Sequence, residues 1–242
     1  MTERRTVRLD ATASDWFEPP WPAVFELTRI LPTHSWTLVG GLMVTLHARI
    51  AELPASRTTV DVDTALHLET GVISFAEVAK TLTEVGYALD TATRYAYRFD
   101  RGADRIDVMC SDRYAAFRHP TFRGRPLFGI PGATRALKDT WNIDLTTATG
   151  TGQFVLPTIQ GALVLKGAAY LEDSRSRARH LEDAILLFAC IDDPESMLQG
   201  LSRVSRRRIR ALITAASESS EPWVTHDLGV QALARENIAF IA

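Results

Sequence analysis

Three carboxylates and a pair of glycines carry the chemistry legible in this chain. In Arg57-Thr58-Thr59-Val60-Asp61-Val62-Asp63 the two aspartates stand two apart, and side chains two apart on a strand project to the same face. Asp61 and Asp63 would lie side by side, with Val60 and Val62 turned into the core. Adjacent like charges repel, and a hard cation such as Mg2+, which prefers carboxylate oxygen and keeps several waters, is the obvious compensation. Alone, the pair reads equally as solvent-facing carboxylates on a half-buried strand. A third carboxylate, Asp107, sits in Arg105-Ile106-Asp107-Val108-Met109, an apolar strand where an aspartate needs a partner. If that strand lies beside the first, three carboxylates converge. That is enough to hold two Mg2+ ions about 3.5–4 Å apart for phosphoryl-type transfer. Gly40-Gly41 falls between a strand and a helix, where backbone N–H groups and the helix dipole can meet a phosphate. Taken singly the glycines read as a tight turn; with the carboxylates they read as a phosphate site.

Two further charged residues stand out in the C-terminal half. Lys166 lies in a mostly apolar helical segment with Ile159, Leu163, Leu165 and Ala169, so its ammonium should point to a cleft or snorkel to water. Asp183 immediately precedes the apolar run Ala184 to Ile191. There it either orients Arg179, four residues earlier, or faces a site.

The order strand, Gly-Gly, helix, R-x-T-x-D-V-D and later Asp strand resembles the DNA polymerase beta-type nucleotidyltransferase superfamily. Within it, Lys166-Gly167-Ala168-Ala169-Tyr170, then Arg175, then Arg179-His180-Leu181-Glu182-Asp183-Ala184-Ile185-Leu186-Leu187 is similar to the AbiEii abortive-infection toxin group. The likeness spans roughly residues 36–190. It implies a mixed α/β sheet of polymerase beta type with flanking helices, followed by a helical part that completes the cleft. It further implies a nucleoside triphosphate held against Gly40, Gly41, Arg57, Thr59 and Lys166, and Mg2+ on Asp61, Asp63 and Asp107. Asp107 or a water would take the acceptor's proton, Asp183 would have a site role, and pyrophosphate would leave. The implied acceptor is RNA, often the tRNA acceptor end, or a protein, and a cognate antitoxin would restrain the toxin. Three departures touch nucleotide choice. Gly40 and Asp61 are 21 residues apart, the glycine pair lacks the serine of Gly-Ser, and His180 replaces an acid of the second helical motif.

The elements that must position these residues follow from pattern. A helix is expected from Pro22 to Ile30, a buried strand at Trp36–Val39, a helix over Leu42–Leu53 and a strand over Thr59–Leu68. Ser74 with Glu77 three residues on makes a capping box for a helix ending near Gly86. Short strands are expected at Tyr87–Leu89, Arg94–Phe99 and Arg105–Cys110. Residues 111–150 read as loops with one or two strands around Trp141–Leu145. Helical character then fills 158–171, 176–191, 196–215 and 223–241. The chain divides into an α/β nucleotidyltransferase-type domain over 1–155 and a helical domain over 156–242.

Composition excludes several classes. Of 242 residues, 46% are hydrophobic and 23% charged, so wholesale disorder is excluded. The longest apolar run, Ala184 to Ile191, is eight residues, far short of the roughly 20 that span a bilayer. The start, MTERRTVRLD, has no secretory apolar stretch, and Cys110 and Cys190 cannot build a disulfide framework. A cytoplasmic, soluble protein with no membrane partner is expected. No P-loop or GxSxG elbow occurs. The formal net charge of −2 hides two acid-free blocks, Arg113–Lys138 with six basic residues and Arg203–Arg210 with five. The first interleaves Tyr114, Phe117, Phe122 and Phe128, a composition that can neutralise phosphates and stack bases or place the aromatics in the core. The second could meet RNA or an antitoxin. A small-molecule nucleotidyltransferase and a non-catalytic NTP-binding module are the rival readings, and the basic stretch after Asp107 argues against a cationic drug as acceptor.

Overall fold

The computed structural model describes residues 4–55, 59–148 and 150–242. Two compact units share the chain: Met1–Leu42 with Thr59–Pro157, and Met43–Thr58 with Thr158–Ala242.

The first unit is built on strands β1 (Thr6–Asp10), β2 (Trp36–Val39), β3 (Asp61–Leu66), β4 (Ala88–Leu89), β5 (Arg98–Arg101), β6 (Asp104–Ser111), β7 (Thr121–Phe122), β8 (Arg125–Pro126), β9 (Gly129–Ile130), β10 (Thr140–Thr147) and β11 (Gly150–Pro157). Helices α1 (Trp21–Ile30), α3 (Phe75–Glu84), α4 (Asp112–Arg118) and α5 (Ala133–Ala136) connect them, and α2 (Gly40–Ile50) starts here. The main sheet runs β1-β10-β11-β2-β3-β6-β5-β4, with β9 beside β6. β3 is parallel to β6 and antiparallel to β2, and β5 is antiparallel to β6. The expected mixed α/β sheet with flanking helices and a helical C-terminal part is what the chain forms.

Burial explains the middle strands. All four residues of β2 are buried, and Trp36 stacks on Phe154 of β11 at 5.5 Å between ring centroids. A strand covered on both faces carries apolar or β-branched residues throughout rather than alternating ones. β3 begins with alternation, Val62 and Thr64 buried and Asp61 and Asp63 partly open. Val60 precedes the strand and is 67% exposed, not turned into the core as the alternation suggested. Ser74 accepts a hydrogen bond from the Glu77 N–H, and the Glu77 carboxylate accepts one from the Ser74 N–H in return, the reciprocal cap that starts α3. Residues 111–148 hold the expected strand around Trp141–Leu145 as β10, together with helices α4 and α5 and the short strands β7, β8 and β9.

The second unit gathers the rest of α2 with α6 (Ile159–Glu172), α7 (Arg177–Ala189), α8 (Arg203–Glu218) and α9 (Leu228–Ile241). Helix α6 is apolar on nearly all sides, its first nine residues except Gln160 all buried, which is the pattern of a helix enclosed by others. Gly167 lets α8 approach: a β-carbon there would stand 2.5 Å from the Arg208 carbonyl oxygen. Asn237 of α9 donates to the carbonyls of Phe188 and Ile191 at 2.9 and 3.2 Å, satisfying groups left open at the end of α7. Among the described residues no helix is long and apolar enough to cross a membrane.

Candidate functional site

The register of three adjacent strands sets out two rows of charge. Asp63 of β3 stands opposite Asp107 of β6, which stands opposite Arg98 of β5. One step away, Asp61 stands opposite Arg105, which stands opposite Asp100. Register partners and residues two apart share a face of a sheet, so all six side chains rise from one face. The Thr64 hydroxyl donates to the Asp107 carbonyl at 3.1 Å and ties β3 to β6 at this level.

Gly40 completes the arrangement. The chain leaves β2 at Val39, the register partner of Asp63, and turns directly into α2 through Gly40 at φ +70°. A β-carbon at Gly40 would fall inside the Asp63 carboxylate. The glycine is therefore required twice, by its left-handed backbone and by the space the carboxylate takes. Helix α2 begins at Gly40, two residues earlier than its apolar spacing indicated.

Asp107 is not open. Its two oxygens accept the Arg98 Nε and Nη2 hydrogens at 2.9 and 2.7 Å, a two-pronged pair, and the residue is only 5% exposed. Burial pushes its carboxyl above the ordinary range, and the Arg98 fork opposes that without cancelling it. In the neighbouring row Arg105 donates from Nε to Asp100 at 2.8 Å. Both guanidiniums are thus committed to carboxylates. Asp61 makes no side-chain hydrogen bond among the described residues, but its charge acts on Arg98, Arg105 and Asp107.

Asp61 and Asp63 suit a hard divalent cation, which takes one or two carboxylates and fills its other positions with water and phosphate oxygen. Among the described residues no three His, Cys, Asp or Glu side chains are grouped as a metal-ligating set. Asp107, expected as a third ligand, accepts one hydrogen bond from Arg98 on each oxygen.

The remaining expected residues fall in three places. Thr59 is buried just ahead of β3, and Arg57 lies outside the described residues. Lys166 and Asp183 face each other on α6 and α7 of the second unit, the ammonium donating to Asp183 Oδ2 at 2.7 Å with both side chains under a tenth exposed. The lysine does not snorkel to water but pairs with Asp183 inside the helical unit.

The basic block after Asp107 becomes α4 and its surroundings. None of its four aromatics is fully buried, and Phe117 is 73% exposed with the Arg113 guanidinium 5.5 Å from its ring centre. Arg113, Tyr114, Phe117, Arg118 and Lys138 line a cavity of about 540 Å3. Arg125 is used internally, reaching the Asp90 and Thr93 carbonyls at 2.8 and 3.0 Å. The second block lies along the first turns of α8, with Ile209 turned inward and its arginines mostly exposed.

Arg98 was missed by sequence reading, although a signal for it exists. Gly102, at φ +58°, sits in a two-residue loop that pairs Arg101 with Asp104. Counting outward from such a loop places Arg98 opposite Asp107.

No protein-family model matches this sequence, and no curated protein does either. Among solved structures the chain superposes on an antigenic nucleotidyltransferase-like protein from Paracoccidioides brasiliensis, with a TM-score of 0.54 over 89% of this chain and 95% of that one, at 14% identity. The fold is nucleotidyltransferase-like. At that identity the likeness concerns the fold alone. The narrower likeness to abortive-infection toxins rests on the short motifs in residues 36–190 alone.

Proposed function

We propose that this chain is a metal-dependent nucleotidyltransferase that moves a nucleotide from a nucleoside triphosphate to an acceptor hydroxyl and releases pyrophosphate. One observation carries the reading: the left-handed turn at Gly40 closes directly on the carboxylate of Asp63, beside Asp61 on the same face. A divalent cation held by Asp61 and Asp63 would neutralise triphosphate charge and polarise the phosphorus under attack. The chain's own groups do the rest. The turn at Gly40 leads directly into the start of α2, where the helix dipole favours phosphate oxygens. The Gly40 turn fixes where the Asp63 carboxylate can lie. Lys166 and Asp183 pair with each other within the helical unit.

For the acceptor, the exposed Phe117 and the cavity lined by Arg113, Tyr114, Arg118 and Lys138 favour single-stranded RNA, such as a tRNA end. Arginine and lysine would neutralise its phosphates, and the aromatic rings would stack its bases. The exposed arginines of Arg203–Arg210 on α8 are assigned to RNA or to a restraining antitoxin. A toxin reading predicts growth arrest on expression, relieved by a neighbouring gene product.

The test is to incubate the purified chain with each labelled NTP, Mg2+ and total cellular RNA. Label is expected in RNA, and is expected to vanish in Asp61→Ala and Asp63→Ala chains that melt like the parent. Label in a protein or a small molecule would keep the transferase and change the acceptor. NTP binding with no transfer to any acceptor would favour a non-catalytic binding module. Full turnover in either aspartate variant would remove the metal site.

A further inference from the structure

The cavity beside α4 sets one carboxylate, Glu69, among its cations. We infer that Glu69 makes this cavity select guanine in single-stranded RNA. The base stacks on Tyr114 and Phe117 and gives its N1–H and 2-amino hydrogens to the carboxylate, while Arg113, Arg118 and Lys138 hold the phosphates. The inference rests on the RNA-acceptor reading, to which it adds the base.

Topology brings these groups together. β3 and β6 are parallel, with Leu66 opposite Cys110, so the chain leaves both strands at the same edge of the sheet. From β3 it enters the single turn Leu68–Thr70, which carries Glu69 above the buried Leu68; from β6 it enters α4. Ligands in sheets of this kind bind at the carboxyl ends of strands. The space of about 540 Å3 falls within the range of about 300–1,000 Å3 typical of small-ligand sites. The side chains of Arg113, Arg118 and Lys138 form no ion pair among the described residues, which leaves three positive charges for phosphate oxygens. Phe117 is an exposed platform for a base at the rim. Glu69 repels phosphate and can only accept hydrogen bonds, so what it adds is selection for a donor. His67 Nδ1 lies 3.9 Å from its carboxylate, but burial pulls the His67 pKa down to about 4, and a neutral ring leaves the Glu69 charge uncancelled. Guanine alone among the RNA bases offers two donors side by side on its pairing edge, one for each carboxylate oxygen. Adenine and cytosine set an amine beside a bare ring nitrogen, and uracil flanks its single N–H with carbonyls.

Fluorescence anisotropy of short labelled RNAs on the full chain, without NTP or turnover, tests this. A uridine oligomer carrying one guanosine is expected to bind at least about tenfold more tightly than all-uridine, or than the same oligomer with adenosine or cytidine. Inosine, which lacks the 2-amino group, should bind about threefold or more weakly than guanosine; this comparison needs no variant and stands should Glu69→Gln fail to fold. Glu69→Gln should bring the guanosine oligomer to within about twofold of all-uridine. Arg118→Gln and Lys138→Gln should weaken every oligomer alike and keep the preference. RNA binding without base preference, preference for another base, or a guanosine preference that survives in folded Glu69→Gln would overturn the inference and leave RNA as the acceptor. Guanosine monophosphate binding as tightly as the oligomer would keep guanine selection and overturn RNA as its source. No binding of any oligomer would overturn the inference together with the acceptor reading.

Discussion

Gly40 and Gly71 have the same backbone angle, φ +70°, yet only one of them faces a functional group. A β-carbon at Gly71 meets nothing within 4 Å, while one at Gly40 collides with the Asp63 carboxylate. The two positions therefore separate backbone strain from steric exclusion. Gly71→Ala is expected to cost about 1 kcal/mol, the left-handed penalty of a side chain, with unchanged Mn2+ affinity. Gly40→Ala should cost more and weaken Mn2+ binding at least tenfold, because Asp63 must leave its place. Urea denaturation and a Mn2+ titration of both variants measure the two effects; equal affinities would show that the turn does not position the carboxylate. Legibility was uneven at this scale. Gly40, Asp61 and Asp63 stand out from spacing alone, whereas Arg98 depends on the register that the Gly102 turn imposes between β5 and β6.

At the scale of elements, α6 and α7 are joined by a buried ion pair within their apolar faces. Lys166 and Asp183 are each under a tenth exposed and 2.7 Å apart. Removing one partner leaves the other charged away from water, and a loss of about 3–5 kcal/mol is expected for Lys166→Met. Replacing both, with Lys166→Met and Asp183→Leu, should recover most of that loss, because apolar side chains of similar size suit the same space. Stabilities from urea unfolding of the two single variants and the double variant decide it; additive losses would mean that each residue acts through other partners. An apolar helical pattern shows that such a lysine is exceptional but not which residue answers it, since the partner lies on another helix.

Across the whole molecule, buried histidines make stability depend on pH. His67 is 6% exposed, its Nε2 lies 2.7 Å from the Thr37 hydroxyl, and burial pulls its pKa down to about 4 from an ordinary 6.5. Burial holds His180 and His226 below the ordinary value as well. A histidine kept neutral in the folded chain contributes its full stability above pH 6.5. Between pH 6.5 and about 4 the unfolded chain takes up the proton and the folded chain does not, so stability falls as pH falls. For His67 the loss is up to about 3 kcal/mol. Unfolding free energies measured at pH 7, 5.5 and 4 should decline across this window, and His67→Gln should flatten the decline. A parent chain equally stable at pH 7 and pH 4.5 would contradict the assignment.

The primary sequence determined the local features of this protein: the buried strand before Gly40, the Asp61 and Asp63 pair, the capping box at Ser74 and the helical C-terminal stretch. Each depends on propensity, period or a short spacing that neighbouring residues supply. Tertiary structure alone decided the rest. It placed Asp107 beside Asp63 and gave it Arg98 as a partner, matched Lys166 to Asp183 and turned the basic block into a half-exposed cavity wall. Those outcomes depend on which strand registers and helix faces meet. Electrostatic pairing inside a fold is settled by distance in space, which spacing along the chain does not contain.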